Sequence, residues 1–420
     1  MSIGLAYEAK ALCSGVFVSH RDVAAIIEND LAIDELWFLK YFNGRAEVQK
    51  NLASASFLNL RREAVYRPGL GCTLTYGDQS LPSPQALEHH VAQDFVRSYA
   101  AALIPAIDWA FAEPDPQHLR RTRAVVILRH GEIIGERYAE GFGPDQPLPG
   151  WSMSKSVLNA LVGILIREGK LHLDQPVLAP EWTVHADDPR RRITLKHLLQ
   201  MSSGLEFAED YGNPLQDVTY MLLNAPDAAV YAASKPLLHP PGNVLRYSSG
   251  TSNIISRLLR RAVGEADYPG FPKRALFDPL GMTHAVMEQD EAGSFVASSF
   301  LYATARDWAR LGQLYLQDGL WQGRRILPPG WVKYSTTSLP KAPEGEYGAH
   351  FWLKIPESYR DPNRAISLPP DAFHAIGYEG QFITVLPSQH LVIVRLGLAR
   401  HPHAWPHDAF IEKTVAALTR

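Results

Sequence analysis

The feature that most constrains the fold of this chain is a serine and a lysine three residues apart, directly before a long apolar run. The tetrad Ser152-Met153-Ser154-Lys155 precedes residues 157–166, whose apolar character predicts a buried helix. Such a helix places Ser152 at its N-terminus and Lys155 one turn later on the same face. The helix dipole favours negative charge there, and a neighbouring amine can replace a histidine base. The tetrad indicates a serine nucleophile, with a simple helix-capping serine as the alternative.

Composition is that of an ordinary globular protein. The chain has 420 residues, of which 46% are hydrophobic and 20% charged. The net charge of -3 gives no electrostatic reason to expect nucleic acid or a membrane surface as a partner. No apolar run reaches the roughly 18 residues that cross a bilayer. Residues 1–11 contain Glu8 and Lys10, so we predict no signal peptide there, unless one was removed.

Two cysteines, Cys13 and Cys72, leave two interpretations open. They are either buried free thiols or one disulfide that staples the first segment, which would imply an oxidising compartment. We therefore expect a periplasmic or secreted protein if they pair and a signal peptide was removed, and a cytoplasmic one otherwise.

Hydrophobic periodicity predicts a mixture of helices and strands without internal repeats. Helices are predicted at residues 21–31, 94–112, 193–199, 253–263, 305–316 and 410–418. Strands are predicted at 124–128 and 133–138, joined by a turn at His130-Gly131, and at 350–353, 382–386 and 391–396.

A second motif displays a tyrosine on a loop. Arg246-Tyr247-Ser248-Ser249-Gly250 precedes a predicted helix. A nearby cationic lysine would favour the phenolate of a group whose pKa is about 10, so such a tyrosine can carry a proton. The simpler interpretation is a packed tyrosine with one hydrogen bond.

A third motif, residues 375–381, leads into the strand predicted from residue 382. Its glycines permit close approach of another backbone or of a ligand. The functional interpretation is an edge strand whose backbone N–H faces a reacting carbonyl, as half of an oxyanion hole. The structural interpretation is a strand entry with two turn glycines.

In this order, the three motifs resemble those of the penicillin-recognising serine hydrolases. About 95 residues separate Ser152 from Tyr247, and about 130 separate Tyr247 from Gly377. The stretches W-S-M-S-K-S, I-T-L-K-H-L-L-Q-M-S-S-G-L and G-Y-E-G-Q are similar to the class C β-lactamase-like branch. That branch includes esterases, D-aminopeptidases and 6-aminohexanoate-dimer hydrolases. The resemblance covers about residues 120–400.

The resemblance implies a role for each matched residue. Ser152 would be the acylated nucleophile, Lys155 would lower its proton affinity, and Tyr247 would act first as general base and then as general acid. The backbone N–H groups of Ser152 and Tyr378 would form the oxyanion hole. The candidates for substrate binding, which lie in the second and third motifs, are Ser249, Ile376 and Gly377.

The implied fold is α/β (α+β) and β-lactamase/transpeptidase-like: an antiparallel sheet flanked by the terminal helices, with an inserted helical domain. We expect residues 1–90 to be an N-terminal extension packed on the main domain. Residues 91–150 and 291–420 would form the α/β domain, and residues 151–290 the mainly helical domain. The active site would lie at the interface of these two domains.

Two departures from the family pattern bear on the substrate. The triplet Ala375-Ile376-Gly377 stands where β-lactamases have Lys-Thr-Gly, so the groups that hold a β-lactam carboxylate are missing. His374 cannot replace them, because it has the wrong parity on a strand. Ser249 stands where an asparagine amide is usual. The sequence therefore favours an ester or small amide substrate without that carboxylate.

We therefore predict a serine hydrolase, a carboxylesterase or amide hydrolase that works through an acyl-enzyme. The alternatives are a β-lactamase or D-amino-acid peptidase of the same superfamily, or a catalytically silent binding scaffold. No cofactor is expected, the partner is a small molecule, and the oligomeric state is open. No metal is expected either, because the histidines lack zinc-site spacing: His89, His90, His401, His403 and His407.

Overall fold

The computed structural model describes residues 1–77, 94–339, 342 and 345–419. Its contacts divide the chain into two compact units. The first contains Met1–His89, Gly169–Arg274 and Val286–Tyr302, and the second contains His90–Glu168, Ala275–Ala285 and Ala303–Arg420. The Ser152 segment is thus grouped with residues 90–150, whereas we expected it within residues 151–290. The predicted domain boundaries themselves stay a prediction.

The α-helices of the described residues are distributed over the whole chain. They are α1 (Ser2–Cys13), α2 (Val23–Ile26), α3 (Ile104–Phe111), α4 (Ser154–Arg167), α5 (Pro180–Thr183), α6 (Leu195–Leu199), α7 (Asp217–Asn224), α8 (Ala228–Ala233), α9 (Ser249–Val263), α10 (Asp278–Leu280), α11 (Ala305–Leu316), α12 (Trp331–Ser335) and α13 (His407–Leu418). None of them is both long and apolar enough to reach across a bilayer.

The strands fall into an early group, a hairpin after it, and a late group. They are β1 (Asn43–Glu47), β2 (Leu52–Phe57), β3 (Leu60–Arg67), β4 (Gly71–Thr75), β5 (Thr122–Arg129), β6 (Glu132–Tyr138), β7 (Leu148–Pro149), β8 (Val286–Met287), β9 (Leu301–Ala303), β10 (Leu320–Trp321), β11 (Arg324–Arg325), β12 (Phe373–Gly377), β13 (Gln381–Leu386) and β14 (Leu391–Gly397).

In the first unit, helix α1 packs on an antiparallel sheet with the order β1-β2-β3-β4. Cys13, at the end of α1, forms a disulfide with Cys72 in β4, which selects one of the two interpretations that the sequence left open. The buried Glu288 carboxylate pairs with Lys10 of α1 and accepts a hydrogen bond from Ser14 Oγ at 2.8 Å and from the Cys72 backbone N at 2.7 Å.

The second unit contains an antiparallel sheet with the order β12-β13-β14-β5-β6. One face carries α3 and α13, near the two ends of this unit, in a common apolar core that includes Ile107 and Phe410. The other face carries α11, where Gly312 allows close approach: a Cβ there would lie 2.5 Å from Val392 Cγ1. An antiparallel sheet flanked by terminal helices, as predicted, is therefore present.

Several elements match their prediction and two do not. The hairpin of β5 and β6 turns at His130-Gly131, and both residues have positive φ, as tight hairpin turns require. The helix predicted at 94–112 was wrong in its first half: α3 begins at Ile104, with Pro105 in its first turn, where proline is tolerated. The predicted strand at 350–353 was wrong too, since only Trp352 forms isolated bridges.

Candidate active site

Ser152 and Lys155 are paired in the structure at the start of α4. A 3-10 turn, Trp151–Met153, leads directly into this helix. Lys155 Nζ lies 2.9 Å from Ser152 Oγ, within hydrogen-bond distance. The Lys155 side chain is 1% exposed, whereas Ser152 is only partly buried. The sequence spacing thus produces a buried amine beside the hydroxyl of a partly buried serine.

A buried histidine that the sequence analysis missed supports the backbone at Lys155. His350 Nδ1 donates a hydrogen bond to the carbonyl oxygen of Lys155 at 2.9 Å. In return, Ser156 Oγ donates to the carbonyl oxygen of His350 at 2.8 Å. Burial, with the nearby Lys155 charge, lowers the pKa of His350 to about 3. The ring is therefore neutral at physiological pH and adds no second positive charge near Lys155.

Asn159, one turn further along α4, is a second support that the sequence analysis missed. Its Nδ2 donates to Ala349 O at 2.9 Å and to Ser335 Oγ at 3.0 Å. Its Oδ1 accepts from Tyr315 OH at 2.5 Å and from Trp331 Nε1 at 2.8 Å. The amide's hydrogen-bonding groups are thus used inside the protein. This network fixes the rotation of α4 and hence the direction of its N-terminal side chains.

The third motif begins within β12, an edge strand of the sheet, and includes the end of this strand. On the open side of β12, His374 exchanges hydrogen bonds with Trp352 through its N (2.8 Å) and its O (2.9 Å). Backbone directions alternate along a strand, so the N–H groups of Ile376 and Tyr378 are expected on that same open side. A Cβ on Gly377 would lie 2.1 Å from the Gly150 carbonyl oxygen. The strand end thus contacts the backbone two residues before Ser152, which only glycine permits.

The side chains of His374 and Ile376, two positions apart in β12, both face the protein core. Ile376 is 6% exposed and belongs to the apolar core with α3 and α13. The predicted substrate contact through this side chain gains no support. His374 Nδ1 bonds Thr384 Oγ1 at 2.8 Å, and the same hydroxyl contacts His407 Nε2 at 2.7 Å. The parity argument for His374 is thereby confirmed.

Tyr247 lies in the first unit, half-buried on the loop before α9. Ser248 caps this helix, accepting from the Thr251 backbone N at 3.3 Å. Ser249 is fully buried and donates through its backbone N and its Oγ to the two carboxylate oxygens of Glu209, at 2.8 and 2.5 Å. Glu209 was not found from the sequence. The approach of Tyr247 to Ser152, and substrate binding by Ser249, stay predictions.

The late histidines have separate partners. His401 lies against the His118 ring at 4.8 Å, His403 Nδ1 is 3.1 Å from Arg360 O, and His407 is buried beside Thr384. Among the described residues, no group of three or more histidine, cysteine or acidic side chains is arranged to hold a metal ion. His89 and His90 lie outside the described residues.

Comparison with known proteins identifies the family. The beta-lactamase family profile matches residues 53–413. A 6-aminohexanoate-dimer hydrolase of Paenarthrobacter ureafaciens is 26% identical over 308 residues, which are 68% of this chain and 73% of that protein. The name of this relative matches the 6-aminohexanoate-dimer hydrolases that the sequence motifs resemble.

Solved structures of low sequence identity share the fold. A family VIII carboxylesterase superposes with a TM-score of 0.59 at 15% identity, covering 77% of this chain and 99% of the other. A penicillin-binding protein homologue from Caulobacter crescentus gives a TM-score of 0.58 at 18% identity, again with 77% and 99% coverage. This chain therefore belongs to the beta-lactamase family of penicillin-recognising serine hydrolases.

Proposed function

We propose that this protein cleaves carboxylic esters or small amides through an acyl-enzyme on Ser152. The observation that carries the proposal is the 2.9 Å contact between Lys155 Nζ and Ser152 Oγ, with the amine buried. A buried amine lowers the cost of removing the serine proton, which is how a serine reacts without a histidine base. The names of the similar hydrolase and carboxylesterase support the same substrate class.

In the proposed reaction, Ser152 Oγ attacks the substrate carbonyl carbon while its proton passes to Tyr247, which accepts it as the phenolate. The oxyanion accepts hydrogen bonds from the N–H groups of Ser152 and Tyr378, each worth roughly 3 kcal/mol. The tetrahedral intermediate then expels the alcohol or amine, which takes the proton from Tyr247. Water hydrolyses the acyl-Ser152 ester with the same groups, releasing the acid and restoring the hydroxyl.

The side chains of the third motif favour an ester or amide over a penicillin as the substrate. The triplet Ala375-Ile376-Gly377 offers no basic or hydroxyl side chain, and His374 is hydrogen-bonded to Thr384 in the core. A β-lactam carboxylate would therefore lack its usual cationic and hydroxyl partners here. A neutral acyl group needs none of them.

We also propose an oxidising compartment, such as the periplasm or the extracellular space. The support is the Cys13–Cys72 disulfide, because structural disulfides persist where thiols are not kept reduced. Alkylation of free thiols before and after reduction, on protein isolated from its native host, tests this: labelling before reduction would contradict it.

The test of the proposed activity is turnover of p-nitrophenyl acetate and butyrate, with a chromogenic cephalosporin alongside and a fluorophosphonate as active-site label. We expect ester turnover and labelling at Ser152, both lost in Ser152→Ala by a factor of at least ~10⁴. The matched control is Ser234→Ala, which removes an exposed serine whose hydroxyl donates to Tyr231 O within its own helical turn.

Other outcomes would replace the proposal. Cephalosporin turnover as fast as ester turnover would favour the β-lactamase alternative. Absence of labelling and turnover in a folded wild-type protein would favour the binding scaffold.

A further inference from the structure

Two residues next to the proposed oxyanion donors have left-handed backbone conformations. Trp151, directly before Ser152, has φ of 48°, and Glu379, directly after Tyr378, has φ of 63°. Residues other than glycine rarely adopt this region, which costs on the order of 1–3 kcal/mol each. Such conformations persist only where the surrounding structure holds them, so the contacts of these two residues are informative.

The two left-handed residues are joined through their side chains. Trp151 Nε1 donates a hydrogen bond to Glu379 Oε2 at 3.0 Å, although the residues are 228 positions apart. The Trp151 ring also meets the Tyr378 ring edge to face, with centroids 5.5 Å apart. The segment that carries the Ser152 N–H is thereby tied to the segment that carries the Tyr378 N–H.

Glu379 is anchored on its other side to the end of the sheet. Arg400 Nε donates to Glu379 Oε1 at 3.0 Å, and both side chains are 3% exposed. The Glu379 carbonyl oxygen accepts from Ala399 N at 2.9 Å and from Arg395 Nη1 at 3.3 Å. A buried carboxylate needs such a partner to offset its desolvation. The charge is thus compensated by Arg400, while one oxygen remains for Trp151.

We propose that Glu379 is a positioning residue that acts through Trp151 to set the separation of the two oxyanion donors. This inference rests on the proposed function. Donors to an oxyanion must lie within about 2.7–3.1 Å of it. The backbone at Trp151 is unfavourable on its own, so loss of the indole bond lets that turn relax and shifts the Ser152 N–H. Substrate binding elsewhere is left intact.

The first variant is Trp151→Phe, which keeps an aromatic ring and removes the N–H donor. A misplacement of about 1 Å can cost about 100-fold in rate. We therefore expect kcat for p-nitrophenyl butyrate to fall about 10- to 100-fold, with KM within about threefold. Phosphonylation by the fluorophosphonate, in which Ser152 Oγ displaces fluoride, should slow by a similar factor.

The matched control is Trp182→Phe in the first unit. Trp182 Nε1 donates to Ala233 O at 2.8 Å, and the Trp182 side chain is fully buried, whereas Trp151 is only partly buried. Because Trp182 is the more deeply buried of the two, the same chemical change there should lower Tm at least as much and leave kcat within about twofold. A merely structural role of Trp151 predicts that the two variants behave alike in both measurements.

Variants of Glu379 provide the rescue. Glu379→Gln keeps an oxygen that can accept from Trp151, whereas Glu379→Ala keeps none, so the glutamine variant should retain at least about fivefold more kcat. In the double variant Trp151→Phe/Glu379→Ala, the losses should be less than multiplicative, because both changes remove the same hydrogen bond.

If the Trp151→Phe protein has kcat within twofold of wild type, whatever its Tm, the positioning role is overturned and the proposed function still stands. A wild-type protein without turnover and without labelling would overturn this inference and the proposed function together.

Discussion

The two compact units are stabilised by different kinds of interaction. In the first, residues far apart in the chain are joined by a disulfide and by the buried pair of Lys10 and Glu288. In the second, the Ser152 helix makes neutral hydrogen bonds centred on Asn159 and on His350, and the turn before it contacts the buried pair of Glu379 and Arg400. Reduction should therefore act mainly on the first unit, and loss of single neutral groups on the second.

The reason for the difference is chemical. A buried charge or a covalent link responds to protons and reductants, whereas a satisfied amide or a neutral imidazole does not titrate near neutral pH. Burial lowers the pKa values of His350 and His374 to about 3, so both remain neutral over the usual range of assays. Burial has the opposite effect on two carboxyl groups: it raises the pKa of Glu8 in the first unit to about 7 and that of Asp307 in the second to about 6.

The largest expected effect is chemical and belongs to the second unit. Lys155→Met keeps the length of the buried side chain and removes its amine. We expect kcat/KM for the p-nitrophenyl ester to fall roughly 10³- to 10⁴-fold, as for loss of a group that assists proton transfer. Steady-state kinetics measure the loss, and near-UV circular dichroism checks the fold. Activity within tenfold of wild type would remove Lys155 from the mechanism.

A large effect on stability is expected in the first unit. Replacing Cys13 and Cys72 together by alanine opens a link that spans 59 residues. On the chain-entropy estimate, this loss costs roughly 4 kcal/mol of unfolding free energy. Urea unfolding measures it, with the reduced wild type as control. We expect kcat of the folded variant to stay within twofold. An unchanged unfolding midpoint would mean that noncovalent contacts already fix this segment.

A smaller effect depends on pH. Glu8 is fully buried, and neither of its carboxylate oxygens has a hydrogen-bond partner among the described residues. Because its pKa rises on folding from 4.5 to about 7, the stability it contributes is fully present below about pH 4.5. That stability is lost as the pH rises through 7.

Glu8→Gln removes this titration. We compare the unfolding free energy of the variant with that of the wild type at two pH values. From pH 4.5 to pH 8, the variant should gain roughly 3 kcal/mol relative to the wild type. Urea unfolding at both pH values measures the shift. The control Glu28→Gln makes the same substitution at an exposed position of the same unit. Equal pH profiles for Glu8→Gln and wild type would disprove the effect.

The smallest effects concern ion pairs that look alike. Arg257 donates to both oxygens of Glu181 at 2.8 and 2.7 Å in the first unit, with side chains 15% and 20% exposed. Arg364 pairs with Glu412 in the second unit, with side chains 52% and 38% exposed. We expect Arg257→Gln to cost roughly 1–2 kcal/mol and Arg364→Gln at most about 0.5 kcal/mol. Thermal unfolding of both variants tests this order, and the reverse order would contradict it.

Local patterns predicted much of the second unit correctly. The hairpin of β5 and β6, the helix α11 and the pairing of Ser152 with Lys155 follow from turn residues and from helical spacing. The sheet of the first unit was not predicted. Its first two strands, N-G-R-A-E and L-A-S-A-S-F, contain no β-branched residue and only small or charged side chains at most positions. Packing against α1 makes them strands.

The sequence by itself determined which groups stand one helical turn apart, which glycine admits a close backbone, and to which family the chain belongs. These depend on spacing of a few residues or on short motifs. Only the tertiary structure decided that Cys13 meets Cys72, that His350 supports Lys155 and that Glu379 receives the Trp151 indole. Such contacts join residues from 59 to 228 positions apart. Their formation depends on how whole elements pack, which no local pattern of side chains specifies.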